Sequence, residues 1–443
     1  MNSQDLQTYS TNVHRGIAAA FIGEKLGAHA YTAIQAPHTI TYPFRLSQPS
    51  AANINRAMKM NRAIEAHTGS SNIRITTENG LILVEAPSPD PVTIEGTTIM
   101  GEGLSVPVGM SSRRQIVGVD FESDSHLLIV GASNKGKTVC ARNVVYQLLR
   151  QHSSDEIQVV VSCFKRKNWE AFKSFATVIS DMEETIEMLK SARELMYLRA
   201  KTGVETPRYF IVLDDCLNLF ALDGVNEIMS ELLPLARGCG INFILIAQRL
   251  AGMDRKVTGN CTAKILFNVA DTADSGIVGG RSDLGAETLG RYPGDCLLIA
   301  NDSVQRVASA LVQNDDVTSL APSKEWFCTS VETALALEKT GFAPVGAKNY
   351  EGVLNSPETA FAGTPTEINF APVQTTDLRV QTRLVGRPKT DADREFVREM
   401  YVSNSESMNA TVRAVWGSKG SNYVRYVQEC IGEMAEVEQE IEV

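Results

Sequence analysis

Short apolar runs alternating with amphipathic stretches dominate the chain from His126 to Val312. HLLIVG (126–131) is a strand-length apolar run, and TVCARNVVYQLLR (138–150) has helical spacing, with Val144, Val145, Leu148 and Leu149 on one face. Further strand-length runs follow at IQVVVSC, YFIVLDD, INFILIA, KILFNV and DCLLIA. Between them lie helical segments such as MEETIEMLKSARELMYLRA and VNEIMSELLPLARG. Strands alternating with helices predict an α/β domain with a mostly parallel sheet covered on both faces.

The flanks follow other rules. Residues 1–32 carry a helix-like pattern (Val13, Ile17, Ala20, Phe21) that loosens at Gly27. HTITYPFRL, SNIRITTENG and LILVEAPSP predict strands, with ANINRAMKMNRAIEAH as a helix between the first two, so residues 33–112 form a small α+β domain. The α/β domain spans 113–320. A linker is expected over 321–388, its part from about 340 rich in Pro, Gly, Thr and Ala. A compact helical unit over 389–435 and an acidic tail over 436–443 complete the chain.

Composition adds limits rather than detail. With 443 residues, 43% hydrophobic and 21% charged, the chain is globular and long enough for two or three domains. No window reaches the roughly 18 apolar residues that would span a bilayer, and the polar start is unlike a secretory signal, so a cytoplasmic protein without a membrane partner is expected. The eight cysteines never form a CxxC pair and often have apolar neighbours, which predicts buried free thiols. A net charge of −10 argues against indiscriminate coating of nucleic acid but leaves room for a local basic surface.

The sharpest chemistry lies between the first apolar run and its helix. Gly131, Ala132, Ser133, Asn134, Lys135, Gly136, Lys137 and Thr138 satisfy GxxxxGK[ST], with Val139 next in the helix. Glycines let the backbone wrap an anion, successive N–H groups point at phosphates, and the following helix presents its positive end. Lys137 would sit beside the β and γ phosphates of ATP, and Thr138 would give its hydroxyl to Mg²⁺. YFIVLDD places Asp214 and Asp215 at the carboxyl end of a strand, the edge where open α/β sheets bind ligands. Asp214 would hold Mg²⁺ directly or through water, and Asp215 would orient or deprotonate the attacking water. Gln248, ending INFILIAQ, could detect the γ-phosphate or position water. Arg237, in LARGCG, reads either as a helix-end partner of the macrodipole or as an arginine finger for a neighbouring subunit.

Taken together, HLLIVGASNKGKT, FIVLDDCLNLF, LARGCGINFILIAQR and DTADSGIVGGRSDLGAETLGRYPGDCLLI resemble the FtsK/SpoIIIE family of DNA translocases, and HTITYPFRL and LILVEAPSP are similar to the small domain ahead of that family's motor. The similarity covers roughly residues 33–315. It implies a RecA-like P-loop ATPase core acting as a hexamer, a homo-oligomeric ring that threads double-stranded DNA and couples ATP hydrolysis at subunit interfaces to stepping. Three departures stand out: Asp215 replaces the usual Glu, Asp274-Ser275-Gly276 replaces Asp-Ser-Arg, and no membrane anchor is visible. A plasmid, phage or other mobile-element motor fits these better than a septum-bound one.

Within residues 379–425, nine Lys or Arg face five acids, and TDADREFVREMY, SMNATVRAVWG and SKGSNYVRYVQECI predict three short helices. The unit is compatible with a helix-turn-helix and is similar to the winged-helix module that ends some family members. That would make Lys419, Ser421, Asn422 and Arg425 contacts to DNA; a small protein-docking module is the alternative. For the whole chain the rivals are a conjugative coupling or genome-packaging ATPase, and a nucleotide-switched DNA-binding adaptor that does not move processively.

Overall fold

A computed structural model describes residues 3–250, 253–269, 276, 278, 284–289, 292–301, 303–320 and 330–339. All of these belong to the first of two compact units, Met1–Val353. The helical unit expected over 389–435, with Lys419, Ser421, Asn422 and Arg425, lies outside the described residues, as do Asp274 and Ser275.

The chain opens with helix α1 (Ser3–Gly23) and a sheet built from β1 (Ala28–Ala30), β2 (Ile34–Gln35), β3 (Thr39–Leu46), β4 (Arg74–Glu78) and β5 (Leu81–Pro87). β3 and β5 pair antiparallel at its centre. Val13, Ile17, Ala20 and Phe21 of α1 are buried with Ile40, Tyr42, Phe44 and Ile64 in one core. Residues 1–32 are therefore not a separate segment. A short sheet cannot cover its own apolar face, and α1 supplies the second layer. The single helix expected over 52–67 is two, α2 (Ala51–Ala57) and α3 (Asn61–Thr68), with Ser50 capping the first through Asn53 N.

The second sheet runs β10-β9-β11-β12-β8-β13-β14-β15-β6-β7 among the described residues. Its strands are β6 (Ser105–Ser111), β7 (Ile116–Asp120), β8 (Leu127–Val130), β9 (Ile157–Cys163), β10 (Thr177–Ile179), β11 (Arg208–Asp214), β12 (Ile241–Ala247), β13 (Ala263–Phe267), β14 (Asp295–Ala300) and β15 (Ser303–Ser309). From β10 to β13 every pairing is parallel, and from β13 to β7 every pairing is antiparallel. This is a RecA-like P-loop core with an antiparallel extension. β6 pairs with β15, so a boundary at residue 112 would cut through this sheet rather than precede it.

Helices α4 (Lys137–Gln151), α5 (Met182–Thr202), α6 (Leu217–Phe220), α7 (Val225–Ala236) and α8 (Arg255–Gly259) accompany the parallel strands. Two apolar cores result, one joining α5 and α7 to residues such as Leu128 and Ile211, the other joining α4 to residues such as Leu127 and Phe210. Neighbouring residues of one strand fall in opposite cores, as the pleat requires. All seven residues of β12 are buried. α5 starts on Asp181, whose side chain accepts from Glu184 N at 2.9 Å, and stops at Gly203 with φ 72°.

The linker expected over 321–388 contains a helix, Val331–Lys339. Val331, Ala334 and Leu335 are buried in the α5–α7 core, and Glu338 accepts from Arg199 Nη2 at 2.9 Å. The sequence hid this helix because its apolar face is narrow and its polar side is completed by residues of α5, Arg199 with Glu338 and Glu194 with Lys339. Among the described residues no helix is long and apolar enough to cross a membrane. Six cysteines there are free and buried; burial pushes Cys140 and Cys261 up to about 12, away from thiolate chemistry.

Candidate nucleotide site

Register places the site. Asp214 lies beside Ile246 and Cys163, and Val130 beside Ala247, so β8, β9, β11 and β12 end at one edge. A cleft of about 250 Å³ opens there. Ser133, Asn134, Gly136, Lys137, Thr138, Val139, Asp214, Asp215 and Gln248 line it together. Eight of these nine come from two segments, 133–139 and 214–215, that sequence alone marked as the phosphate loop and the acidic strand end.

The loop between β8 and α4 is held by its backbone. Ala132 N donates to Asn268 O at 2.8 Å, and Lys135 O accepts from Gly294 N at 3.0 Å. Gly131 has φ 154°, and a Cβ there would sit 2.5 Å from Phe267 Cβ, so no larger residue fits. Lys137 Nζ donates to Ala132 O at 2.9 Å, folding the ammonium across its own loop. Burial lowers the Lys137 amine below the usual lysine range, and the Asp215 and Asp214 carboxylates oppose that. The Lys137 ammonium is therefore short of partners that phosphate oxygens could provide.

Thr138 Oγ1 donates to Asp214, 3.2 Å from Oδ1 and 3.4 Å from Oδ2. A hydroxyl and a carboxylate converging on one point are hard oxygen donors, a pair that fits Mg²⁺. Asp214 is 7% exposed, and burial holds its carboxyl above the usual range despite hydrogen bonds from Trp169 and Thr138. An acid raised in the folded state stabilises the fold at pH below its ordinary value, and that contribution is lost as pH rises through the raised one. Burial of the Asp214 carboxylate is thus only partly offset by its hydrogen bonds. Asp214→Asn should melt at a higher temperature than wild type at pH 7.5, with the gap closing below about pH 4. With ADP present, adding Mg²⁺ should raise the melting point of wild type alone. Equal melting points at pH 7.5 would count against this assignment of Asp214.

Asp215 has φ 60°, the left-handed region, where Asp is tolerated because its short side chain hydrogen-bonds locally. Gln248 Nε2 donates to Asp215 Oδ1 at 3.2 Å, while Gln248 Oε1 accepts from Ser133 Oγ at 3.0 Å. One amide thereby ties the phosphate loop to the second carboxylate. This backbone gives the departure from Glu a local reason: the shorter acid suits the turn and still reaches Gln248.

Arg237 is not in this cleft. It starts the 3₁₀ turn ahead of β12, at the opposite edge of the sheet, and Arg237 Nη1 donates to Ser123 O at 3.0 Å. Conversely, Arg142, Phe164, Lys165, Asn168 and Trp169 were not singled out from sequence, yet the first four line the cleft and Trp169 donates to Asp214. FKRKNW directly follows the apolar run IQVVVSC, so the strand-end rule that found Asp214 applied to it as well.

Residues 120–251 match the family described as "AAA domain". A DNA translocase FtsK of Leptospira interrogans is 22% identical over 297 residues, which are 56% of this chain and 30% of that protein. The ESX-4 secretion system protein EccC4 of Mycobacterium tuberculosis is 27% identical over 207 residues, 42% of this chain and 16% of that protein. Among solved structures, the conjugation coupling protein TcpA of pCW3, with ATPγS, is 18% identical with a TM-score of 0.48, covering 68% of this chain and 96% of that one. The chain spans about a third or less of the length of these two curated relatives. Its phosphate loop, acidic strand end and sheet order agree with the sequence similarity: the chain is a P-loop ATPase similar to the FtsK-type DNA translocases.

Proposed function

We propose that this chain hydrolyses ATP to drive movement along double-stranded DNA, as one subunit of a hexameric ring working in the cytoplasm. The observation that carries the reading is the Ser133–Gln248–Asp215 bridge, which links the phosphate loop to a carboxylate at the same strand edge as Asp214. A site that only bound nucleotide would need the loop, but not a second acid coupled to it. Lys137 would exchange Ala132 O for the β and γ phosphate oxygens, and the N–H groups of the loop would cradle the remaining charge. Thr138 and Asp214 would hold Mg²⁺, which would supply positive charge to offset the phosphates. Asp215 would orient the attacking water and accept its proton, with Gln248 fixing the carboxylate and sensing the γ-phosphate through Ser133. Arg237, remote from its own cleft, would serve a neighbouring subunit's nucleotide. The C-terminal unit would contact DNA through Lys419, Ser421, Asn422 and Arg425.

Steady-state ATP turnover, measured without DNA, with long linear duplex and with single strands, tests the proposal. Duplex should stimulate turnover at least about tenfold, the rate gain worth about 1.4 kcal/mol, and single strands should do far less. Turnover indifferent to both would favour the nucleotide-switched adaptor, and dependence on a relaxase or a portal would favour a coupling or packaging role.

A further inference from the structure

Phe164, Lys165 and Asn168 line the cleft beside Asp214, and the proposed hydrolysis gives this segment no task. Trp169 lies in the 3₁₀ turn Arg166–Phe172, has no exposed surface, and donates its indole N–H to Asp214 Oδ2 at 2.9 Å. An indole N–H is a donor only, so it can neither ligate a cation nor take a proton from water. The terminal torsion of an aspartate is broad and roughly two-fold, which leaves the two oxygens interchangeable unless a neighbour distinguishes them. Thr138 Oγ1 barely does so, at 3.2 and 3.4 Å. Trp169 does.

We infer that Trp169 is a positioning residue for the metal site: by occupying Asp214 Oδ2 it presents Oδ1, together with Thr138 Oγ1, to the Mg²⁺ that accompanies the nucleotide. The inference rests on the ATPase reading above and deepens it. Trp169 is itself fixed from behind. Its ring packs on Phe172 at 5.2 Å between centroids and 56° between planes, and the Arg142 guanidinium lies 5.6 Å from the Phe172 centroid. Arg142 Nη2 in turn donates to Asn314 Oδ1 at 2.6 Å. Arg142 stands one turn beyond Thr138 in α4, so one helix carries the hydroxyl and also braces the indole. Partners that orient a metal-binding carboxylate commonly contribute tenfold or more to metal affinity.

The test titrates Mg²⁺ into full-length protein saturated with ADP, following tryptophan fluorescence and, by calorimetry, the binding itself. In wild type the fluorescence changes with Mg²⁺, and Trp169→Phe abolishes the change although Trp326 and Trp416 remain. Trp169→Phe needs about tenfold more Mg²⁺ for half-saturation, with ADP affinity in the absence of Mg²⁺ unchanged. Phe172→Leu, which loosens the packing but keeps the indole donor, shifts the Mg²⁺ requirement by less than about twofold. Equal shifts in the two variants would reduce Trp169 to a packing role and overturn the inference, as would an Mg²⁺ titration that leaves wild-type fluorescence flat. Should Trp169→Phe fail to fold, a Trp326→Phe/Trp416→Phe variant, with Trp169 as its one indole, decides: a change with Mg²⁺ supports the inference and a flat signal overturns it. A wild-type chain that binds ADP without hydrolysing ATP would overturn the hydrolysis reading and leave this one standing; a chain that binds no ADP overturns both.

Discussion

Lys137→Ala should reduce ATP turnover at least about a hundredfold, the loss expected when one preorganised electrostatic donor leaves a reacting centre, while the melting temperature of the nucleotide-free protein stays within about 2 °C. Two features separate the effects. The loop owes its shape to backbone bonds, Ala132 N to Asn268 O and Gly294 N to Lys135 O, and to Gly131 against Phe267, none of which involves the lysine side chain. The ammonium itself is desolvated, so its removal relieves a cost as well as losing the bond to Ala132 O. Turnover and melting measured on one preparation check both parts. Hydrolysis at the native rate would remove the premise of the site, and collapse of the fold would show that Lys137 holds the loop.

Arg306→Met should destabilise the protein by about 3–5 kcal/mol, the usual result of removing one partner from a buried charge network, and lower the melting temperature by roughly 10 °C. Arg306 on β15 is 2% exposed and grips Asp295 of β14 with two bonds, Nε at 3.0 Å and Nη2 at 2.8 Å. Its Nη1 approaches Glu85 of β5 at 3.6 Å, so the same guanidinium reaches from the second sheet to the first. Glu85 also accepts from Arg74 Nη1 at 2.9 Å and from Ser112 Oγ at 3.0 Å. The adjacent carboxylates hold Arg306 above the usual arginine range although burial opposes its charge. Without it, Asp295 loses its bidentate partner in a place water does not reach. Arg306→Met combined with Asp295→Leu should recover much of the loss, because an apolar pair of similar volume incurs no desolvation. An unchanged denaturation midpoint in the single variant would show that water enters the network.

The same arginine explains one thing that the sequence concealed. β15, SVQRVAS, carries Gln305 and Arg306 in mid-strand, so neither an apolar run nor a clean alternation marks it. β6 is obscured by Pro107 and Gly109, the latter required because a Cβ there would meet Ala308 O at 2.0 Å. Where strands are buried on both faces, as in β9, β11 and β12, apolar continuity made them plain. The phosphate loop and Asp214 were legible because backbone wrapping and a strand-end carboxylate are local demands that a few adjacent residues must meet. Trp169 was legible only as part of a segment that ends β9, since its bond to Asp214 depends on β9 and β11 being neighbours in the sheet, a pairing that no local pattern encodes. Arg237 fell between these cases: its position ahead of β12 was readable, whereas the sequence did not say that the strand would carry it to the far edge from its own cleft.

That separation constrains how copies of the chain can cooperate. β12 has seven residues between Arg237's turn and Gln248, about 20 Å of extended chain. A two-fold dimer would join identical patches, so each shared patch would have to hold both Arg237 and the cleft at the other end of the strand, whereas a head-to-tail contact needs only one of them on each face. If Arg237 serves a neighbour through head-to-tail contacts, every open-ended assembly leaves one cleft without its arginine. Closure of the ring then makes all clefts competent at once, and specific activity should climb steeply with protein concentration around the point where closed assemblies replace open ones.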